Sequence, residues 1–460
     1  MNFGDDSQTS RRQFLKTTGT AAAATALSGF RFPNVHPQGS DELRVALVGC
    51  GGRGSGAAMN ALATKSGPIK LVAMADAFED RLKSSYDHLS KGAPKQVDVP
   101  SDRRFVGYEA YRQAMDCLRP GDIVILTTPP AFRWVHFGYA IEKKLNVFME
   151  KPVTVDGPTS KRMLKLAEDA SAANLKVGVG LMSRHARPLQ ELHERIQNGE
   201  VGEILYMRGY RMHGPAGYFD STPKPEGVTD LEYQIRRFHS FLWASGGCYS
   251  DFYIHILDHL CWMKNALPVS AQGLGGRHYR ATSEGIPFVD QNLDTYAVEY
   301  VFPDGSRMFF DGRCMHGTHG IYSSYVHGTK GVAIASRGGD CGAPSSIYSG
   351  QVVSRENQLW QSTDQSNPYQ NEWDVLVEKI RRNEPHNEVK VGVEASLVSS
   401  MGRMAAHTGQ LITYDAMLNC EHEFAPDLDK LTASSPAPLQ PDSRGLYPVP
   451  KPGVLASREY

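Results

Sequence analysis

Charge of either sign in excess is the first thing missing: 49 Lys and Arg stand against 50 Asp and Glu in 460 residues, a formal net charge of -1. There is also no run of basic residues flanked by aromatics, and the two absences together argue against a nucleic-acid surface. Cysteine is sparse, with seven residues at 50, 117, 248, 261, 314, 341 and 420 and no C-x-x-C pair. An odd, unpatterned set reads neither as a zinc site nor as a disulfide framework. No apolar stretch is long enough for a membrane span, and no internal repeat is visible. What is present is ordinary globular composition, 41% hydrophobic and 22% charged, in a chain long enough for two cores.

Near the N-terminus, Ser10-Arg11-Arg12-Gln13-Phe14-Leu15-Lys16 precedes an alanine-rich stretch, Thr17 to Leu27. The heptapeptide resembles the bacterial twin-arginine export signal, S-R-R-x-F-L-K, at every specified position. Residues 1–39 are therefore set apart as signal and linker. The resemblance implies recognition by the twin-arginine export machinery. It also implies a chain that is periplasmic, or tethered to the membrane by an uncleaved signal.

From residue 40 to 181 short apolar runs alternate with helical periodicity. Strands are expected at 43–49, 69–74, 122–127, 146–149 and 176–180, and helices at 54–64, 135–144 and 160–173. That alternation predicts βαβ units around a parallel sheet. From 182 to 424 the texture changes to longer strands, at 203–212, 295–302, 306–310 and 321–336, with a hairpin turn at Pro303-Asp304-Gly305. Helices are expected at 373–382 and 393–411. The fold class is thus α/β for the first part, followed by an α+β domain with a large open, mostly antiparallel sheet. Residues 425–460 are rich in proline and are expected to run extended over the surface.

Val48-Gly49-Cys50-Gly51-Gly52-Arg53-Gly54 contains G-x-G-x-x-G between a buried strand and a helix, the context in which the motif binds a dinucleotide. Gly49 permits the tight turn, Gly51 lets a pyrophosphate approach the backbone, and Gly54 allows close helix–strand packing. Gly52 and Arg53 lie at the helix N-terminus, where free N–H groups face an anion. Asp76 ends the next strand, where an acid binds ribose hydroxyls and repels a 2′-phosphate. NAD is therefore expected, with NADP less favoured; Arg81 nearby softens the preference. Thr127-Thr128-Pro129 and Glu150-Lys151-Pro152 close two further strands, whose carboxyl ends face the ligand crevice.

The stretch GGCYSDFYIHILDHLCW, residues 246–262, reads as a helix that is apolar on most sides yet carries Asp251, His255, Asp258 and His259 on one seam. Buried polar groups need partners, so this seam either is satisfied within the fold or lines a cavity. Asp251 and His255 lie one turn apart and point the same way. An imidazole can take a hydroxyl proton, and a lysine at 151 can hold the oxygen. Asp258 and His259 are expected to be structural, and no metal is expected.

Together, the glycine loop, Thr127-Thr128-Pro129-Pro130, Glu150-Lys151-Pro152 and the D-x-x-x-H of Asp251 and His255 resemble the glucose-fructose oxidoreductase / inositol dehydrogenase (Gfo/Idh/MocA) family. The resemblance implies a Rossmann NAD(P)-binding domain, an open-sheet second domain and oxidation or reduction of a secondary alcohol on a sugar or cyclitol. It places Lys151, Asp251 and His255 in the catalytic role. The family commonly has glycine where this chain has Tyr253, so a phenol is expected to reshape the substrate pocket. Arg184, His185 and Trp243 are further substrate candidates; Tyr210, Arg211, His213, His316 and His319 are weaker ones. A homo-oligomer built on the exposed sheet face is also expected.

Export bears on the chemistry. A dehydrogenase with little free NAD around it needs a tightly bound cofactor that returns to its starting redox state. A sugar oxidoreductase fulfils this with two substrates. An NAD-dependent glycoside hydrolase fulfils it by transient oxidation, elimination and re-reduction. A sensor that holds NAD without catalysis is the non-enzymatic alternative, and it would have no need of Lys151, Asp251 and His255 together.

Overall fold

A computed structural model describes residues 41–278 and 280–460; the export-signal motif lies outside them. The first sheet has six strands: β1 Leu43–Val48, β2 Ile69–Asp76, β3 Arg104–Val106, β4 Ile123–Leu126, β5 Asn146–Met149 and β6 Val177–Val179. All pair in parallel, in the order β3-β2-β1-β4-β5-β6. The doubly wound order explains the apolar runs. With helices on both faces, strands such as Leu43–Val48 and Ile123–Leu126 are buried along nearly their whole length. Strand order reverses between β1 and β4, which opens a crevice at their carboxyl ends.

The second sheet has nine strands: β7 Ile204–His213, β8 Ser270–Gly276, β9 Thr295–Val301, β10 Arg307–Cys314, β11 Ile321–Gly328, β12 Gly331–Ser336, β13 Ser346–Ser349, β14 Gln358–Gln361 and β15 Ile412–Thr413. Every pairing is antiparallel except that of β7 with β10. The sheet is therefore mixed, as expected in the main. One face packs on helices Gly247–Lys264 and Val389–Thr408, both buried almost throughout. Gly209 on β7 and Gly312 on β10 lie directly beneath the first of these. A Cβ at either would collide with Ile256 or Tyr253, so the glycines set how closely the helix approaches.

The last 36 residues depart from expectation. They are largely without regular structure, but they do not merely cover the surface. The main-chain carbonyls of Leu439 and Pro448 accept from Gln234 and Gln291, and Glu459 is buried against Arg403 and His407. A carboxylate close to a buried guanidinium neutralises a charge the core could not otherwise hold. Residues 42–460 accordingly form one unit rather than separable bodies.

Candidate active site

The crevice at the β1/β4 switch is a cavity of about 930 Å³. The loop at its floor shows why each glycine is there. Gly49 has φ +98°, and a Cβ on it would lie 2.7 Å from the backbone of Thr127 and Thr128. Gly54 would strike the Gly49 carbonyl and Thr127 Oγ1. Gly51 and Gly52 have nothing within 4 Å of the place a Cβ would take, and both line the cavity. Helix Gly52–Leu62 begins without a side-chain cap, leaving its first N–H groups for an anion. Open space over two glycines, an uncapped helix start and an acid at the end of β2 together fit a dinucleotide.

Asp76 accepts from the main-chain N–H of Cys50 at 2.6 Å and of Phe78 at 2.9 Å, so it also fastens the loop to β2. Burial raises its pKa, opposed by those two bonds and by Arg81. Arg53 Nε contacts Glu150 at 2.6 Å and its Nη2 contacts Glu372 at 3.0 Å, with Tyr369 stacked beneath the guanidinium. Two buried carboxylates thus share one cation. Burial and the Glu150 charge push Glu372 well above its ordinary value. Arg81 Nη2 donates to the Arg236 carbonyl at 2.9 Å, and Arg236 pairs with Asp80. A segment from the second part of the chain, including Ile235, Arg236 and Phe238, thereby forms a wall of the same cavity.

Lys151 follows β5 through a cis peptide to Pro152. Its Nζ donates to the main-chain carbonyl of Asp251 at 2.6 Å and lies 3.7 Å from Asp251 Oδ1. The carboxylate also meets His239 Nε2 at 3.1 Å. Because His239 Nδ1 accepts from the Tyr218 N–H, its Nε2 carries the proton and donates to Asp251. Burial alone would raise Asp251; Lys151, His239 and Arg211 override it and hold the carboxyl at about 2. His255, one turn on, is held well below its ordinary value by burial, then by the charges of Lys151 and Arg211. It is therefore a neutral imidazole, and among the described residues its buried Nδ1 has no hydrogen-bond partner. Arg211 Nε and Asp340 Oδ1 are likewise buried without a hydrogen-bond partner among the described residues, and all three residues line the cavity.

Fifteen sequence-predicted residues thus share one cavity: Gly49, Gly51, Gly52, Arg53, Gly54, Asp76, Arg81, Thr127, Thr128, Pro129, Glu150, Lys151, Arg211, Asp251 and His255. The weaker candidates Tyr210, His213, His316 and His319 do not line it, nor do Arg184, His185, Trp243 and Tyr253. Arg184 forks onto Asp258 at 2.8–3.2 Å, and His185 contacts Glu388 at 3.1 Å. Trp243 is fully buried and donates to Gln234. Tyr253 points down over Gly312 toward Cys314, so the phenol fills core instead of reshaping the pocket. In the rest of the helix seam Asp258 is paired by Arg184 and His259 Nε2 meets Ser324 at 2.8 Å. Arg133, His136, His239 and Asp340 were missed. Arg133 is buried and donates to the carbonyls of Leu126 and Thr128, holding the turn after β4; burial lowers it to about 10.

Residues 43–181 match the model of an oxidoreductase family with an NAD-binding Rossmann fold. Residues 8–28 match the twin-arginine translocation pathway signal. The inositol 2-dehydrogenase of Corynebacterium glutamicum is 25% identical over 210 residues, 45% of this chain and 55% of that protein. The NAD(+)-dependent scyllo-inositol 2-dehydrogenase of Bacillus subtilis is 26% identical over 253 residues, 55% of this chain and 63% of that protein. The chain thus spans little more than half the length of these relatives. Among solved structures, the aldose-aldose oxidoreductase of Caulobacter crescentus superposes with a TM-score of 0.60 at 16% identity, covering 81% of this chain and 99% of that one. The myo-inositol 2-dehydrogenase of Lactobacillus plantarum gives 0.58 at 21% identity, with the same coverage.

Proposed function

We propose that the chain is an NAD-dependent oxidoreductase acting on a secondary alcohol of a sugar or cyclitol. One observation carries the reading: His255 Nδ1, Arg211 Nε and Asp340 Oδ1 are buried without a hydrogen-bond partner among the described residues, in the same cavity as Lys151 and the glycine loop. Buried polar atoms left unsatisfied are costly, and a ring bearing several hydroxyls satisfies donors and acceptors together. The inositol and aldose enzymes among the relatives support the same substrate class.

Lys151 holds the alcohol oxygen and stabilises negative charge on it. Neutral His255 takes the hydroxyl proton. Asp251 fixes the direction of the lysine, and His239 fixes Asp251. When bound, the nicotinamide supplies the hydride acceptor. Asp76 favours NAD over NADP. The wall formed by residues 235–238, tied by Asp80 to Arg236, supports a cofactor that stays bound through export.

The twin-arginine match supports export to the periplasm, as a free chain or one tethered by its signal. Tyr206, Phe309 and Leu274, 36%, 41% and 76% exposed, stand on the outer side of the second sheet and support pairing with another copy. Purified protein should carry nucleotide through gel filtration. Sugars and cyclitols added to it should change absorbance near 340 nm. Sugar released with no net change would instead indicate hydrolysis. A protein that neither holds nucleotide nor responds to any of them would refute the reading.

A further inference from the structure

Two thiols meet beneath the helix that carries Asp251 and His255. Cys248 is the second residue of helix Gly247–Lys264, and Cys314 is the last of β10. They are 0% and 1% exposed, and their sulfurs lie 3.3 Å apart. Among the described residues no other two cysteine sulfurs are in such contact. We propose that Cys248 and Cys314 are a disulfide-forming pair, closed in the exported chain by exchange with a donor disulfide. The inference rests on the twin-arginine match, which places the chain beyond the reducing cytoplasm.

The geometry is close to that of the product. A disulfide holds its sulfurs about 2.0 Å apart, so the thiols need approach by roughly 1.3 Å along a contact already made. The surroundings assign the roles. Cys314 Sγ has Tyr253 Oη at 3.4 Å and His213 Nε2 at 4.0 Å, and with the Cys248 thiol these favour its thiolate. Burial keeps Cys248 protonated.

Both sulfurs are buried, so exchange requires local opening of the helix start; the Cys314 thiolate then attacks one sulfur of the donor, whose other sulfur leaves as a thiolate. Cys248 then gives up its proton and attacks the Cys314 sulfur, expelling the second donor sulfur. The two cysteines lose two electrons and the donor gains them; the Cys248 proton and the one Cys314 released on ionising end on the donor's two thiols.

The bond would matter to the site because of where it lies. Gly246 and Gly247, at φ +75° and +69°, form a bend immediately before Cys248. Asp251 lies about one turn after Cys248 and His255 two turns after. β10 is paired along its length with β7, which carries Arg211. A link between positions 248 and 314 would therefore fasten the free start of the helix to the sheet that supplies the facing guanidinium.

The test uses the full chain, signal included, made in a bacterium with twin-arginine export. Cells are quenched in acid, free thiols are alkylated under denaturing conditions, and the exported fraction is mapped by peptide mass. The expected result is a linked peptide pair containing Cys248 and Cys314, with the other cysteines alkylated. An R11K/R12K chain held in the cytoplasm should have both thiols alkylated. Alkylation of both in the exported fraction overturns the proposal.

If no chain reaches that fraction, the export reading fails, and the pair is judged by refolding in oxidised glutathione, where two alkylated thiols again overturn it. A phosphine reductant should lower Tm by a few degrees in wild type but not in C314S. Equal behaviour of the two would remove the fastening role.

Discussion

The Lys151 ammonium is bonded to the main-chain carbonyl of Asp251 at 2.6 Å, so the end of β5 in the first sheet meets the helix that lies on the second. The lysine thereby stands within the field that controls both Asp251 and His255. The consequences can be measured.

Lys151→Ala and His255→Ala should leave nucleotide retention intact and lower kcat by about 100-fold or more, the usual contribution of a positioned acid–base group. Gel filtration with absorbance at 260 nm reports retention, and initial rates report turnover. Near-normal rate in either variant would remove that residue from the proposed role.

The pH dependence follows from the direction of the His255 shift. Burial and the adjacent cations keep the imidazole neutral below its ordinary titration range. The acid limb of kcat/KM should therefore lie below the ordinary histidine range. Replacing Lys151 by Met removes a positive charge and should move the His255 titration upward, observed by NMR of the ring protons.

Asp340 lies 3.9 Å from Arg211, too far for a hydrogen bond but close enough for both to meet one hydroxyl. Asp340→Asn should raise KM several-fold for a neutral polyol with a smaller change in kcat, because it weakens a binding contact. It should also improve the relative kcat/KM for the matching sugar acid, whose carboxylate the aspartate repels. An unchanged ranking of the two substrates would exclude the contact.

The pair between Asp80 and Arg236 is substantially exposed, so it contributes at most about 1 kcal/mol. Asp80→Ala should then speed nucleotide release by up to about fivefold, followed by cofactor fluorescence after dilution, and high salt should mimic it in wild type. Release that ignores both changes would mean the wall is not fastened there.

Arg403 and His407 hold Glu459 down to about 2, against the upward push of burial. Burial keeps His407 below its ordinary value, which leaves Arg403 as the facing cation. A depressed carboxylate stabilises the fold above its unfolded pKa, near 4.5, and that stability is lost as pH falls toward 2. Glu459→Gln should lower stability at pH 7 by about 3 kcal/mol, as expected for a broken buried pair. It should also flatten the dependence between pH 4.5 and 2, followed by denaturant melts.

The parts of this architecture legible beforehand are those in which chemistry is local. Ile123–Leu126 and Asn146–Met149 announce buried strands because both faces are covered, and the glycine loop carries its own steric logic. Helix Glu79–Gly92 was not recognised because only Leu82, Ser85 and Leu89 are buried on it, too thin a stripe to give a period. Arg133, His239 and Asp340 carry no motif; their role depends on partners brought by the fold. His239, for instance, meets an aspartate twelve residues along the chain. Arg184 and His185 fail for the converse reason. They follow the last strand of the first sheet, but a 3-10 turn, Met182–His185, aims them at Asp258 and Glu388.

The buried carboxylate at 459 also bears on biogenesis. Arg403, in the middle of helix Val389–Thr408, keeps an uncompensated charge in the protein interior until the ribosome has delivered a residue 56 positions downstream. Maturation of the interior is thereby tied to the synthesis of residue 459. A route that carries only finished, folded cargo would pass this chain no earlier than that moment.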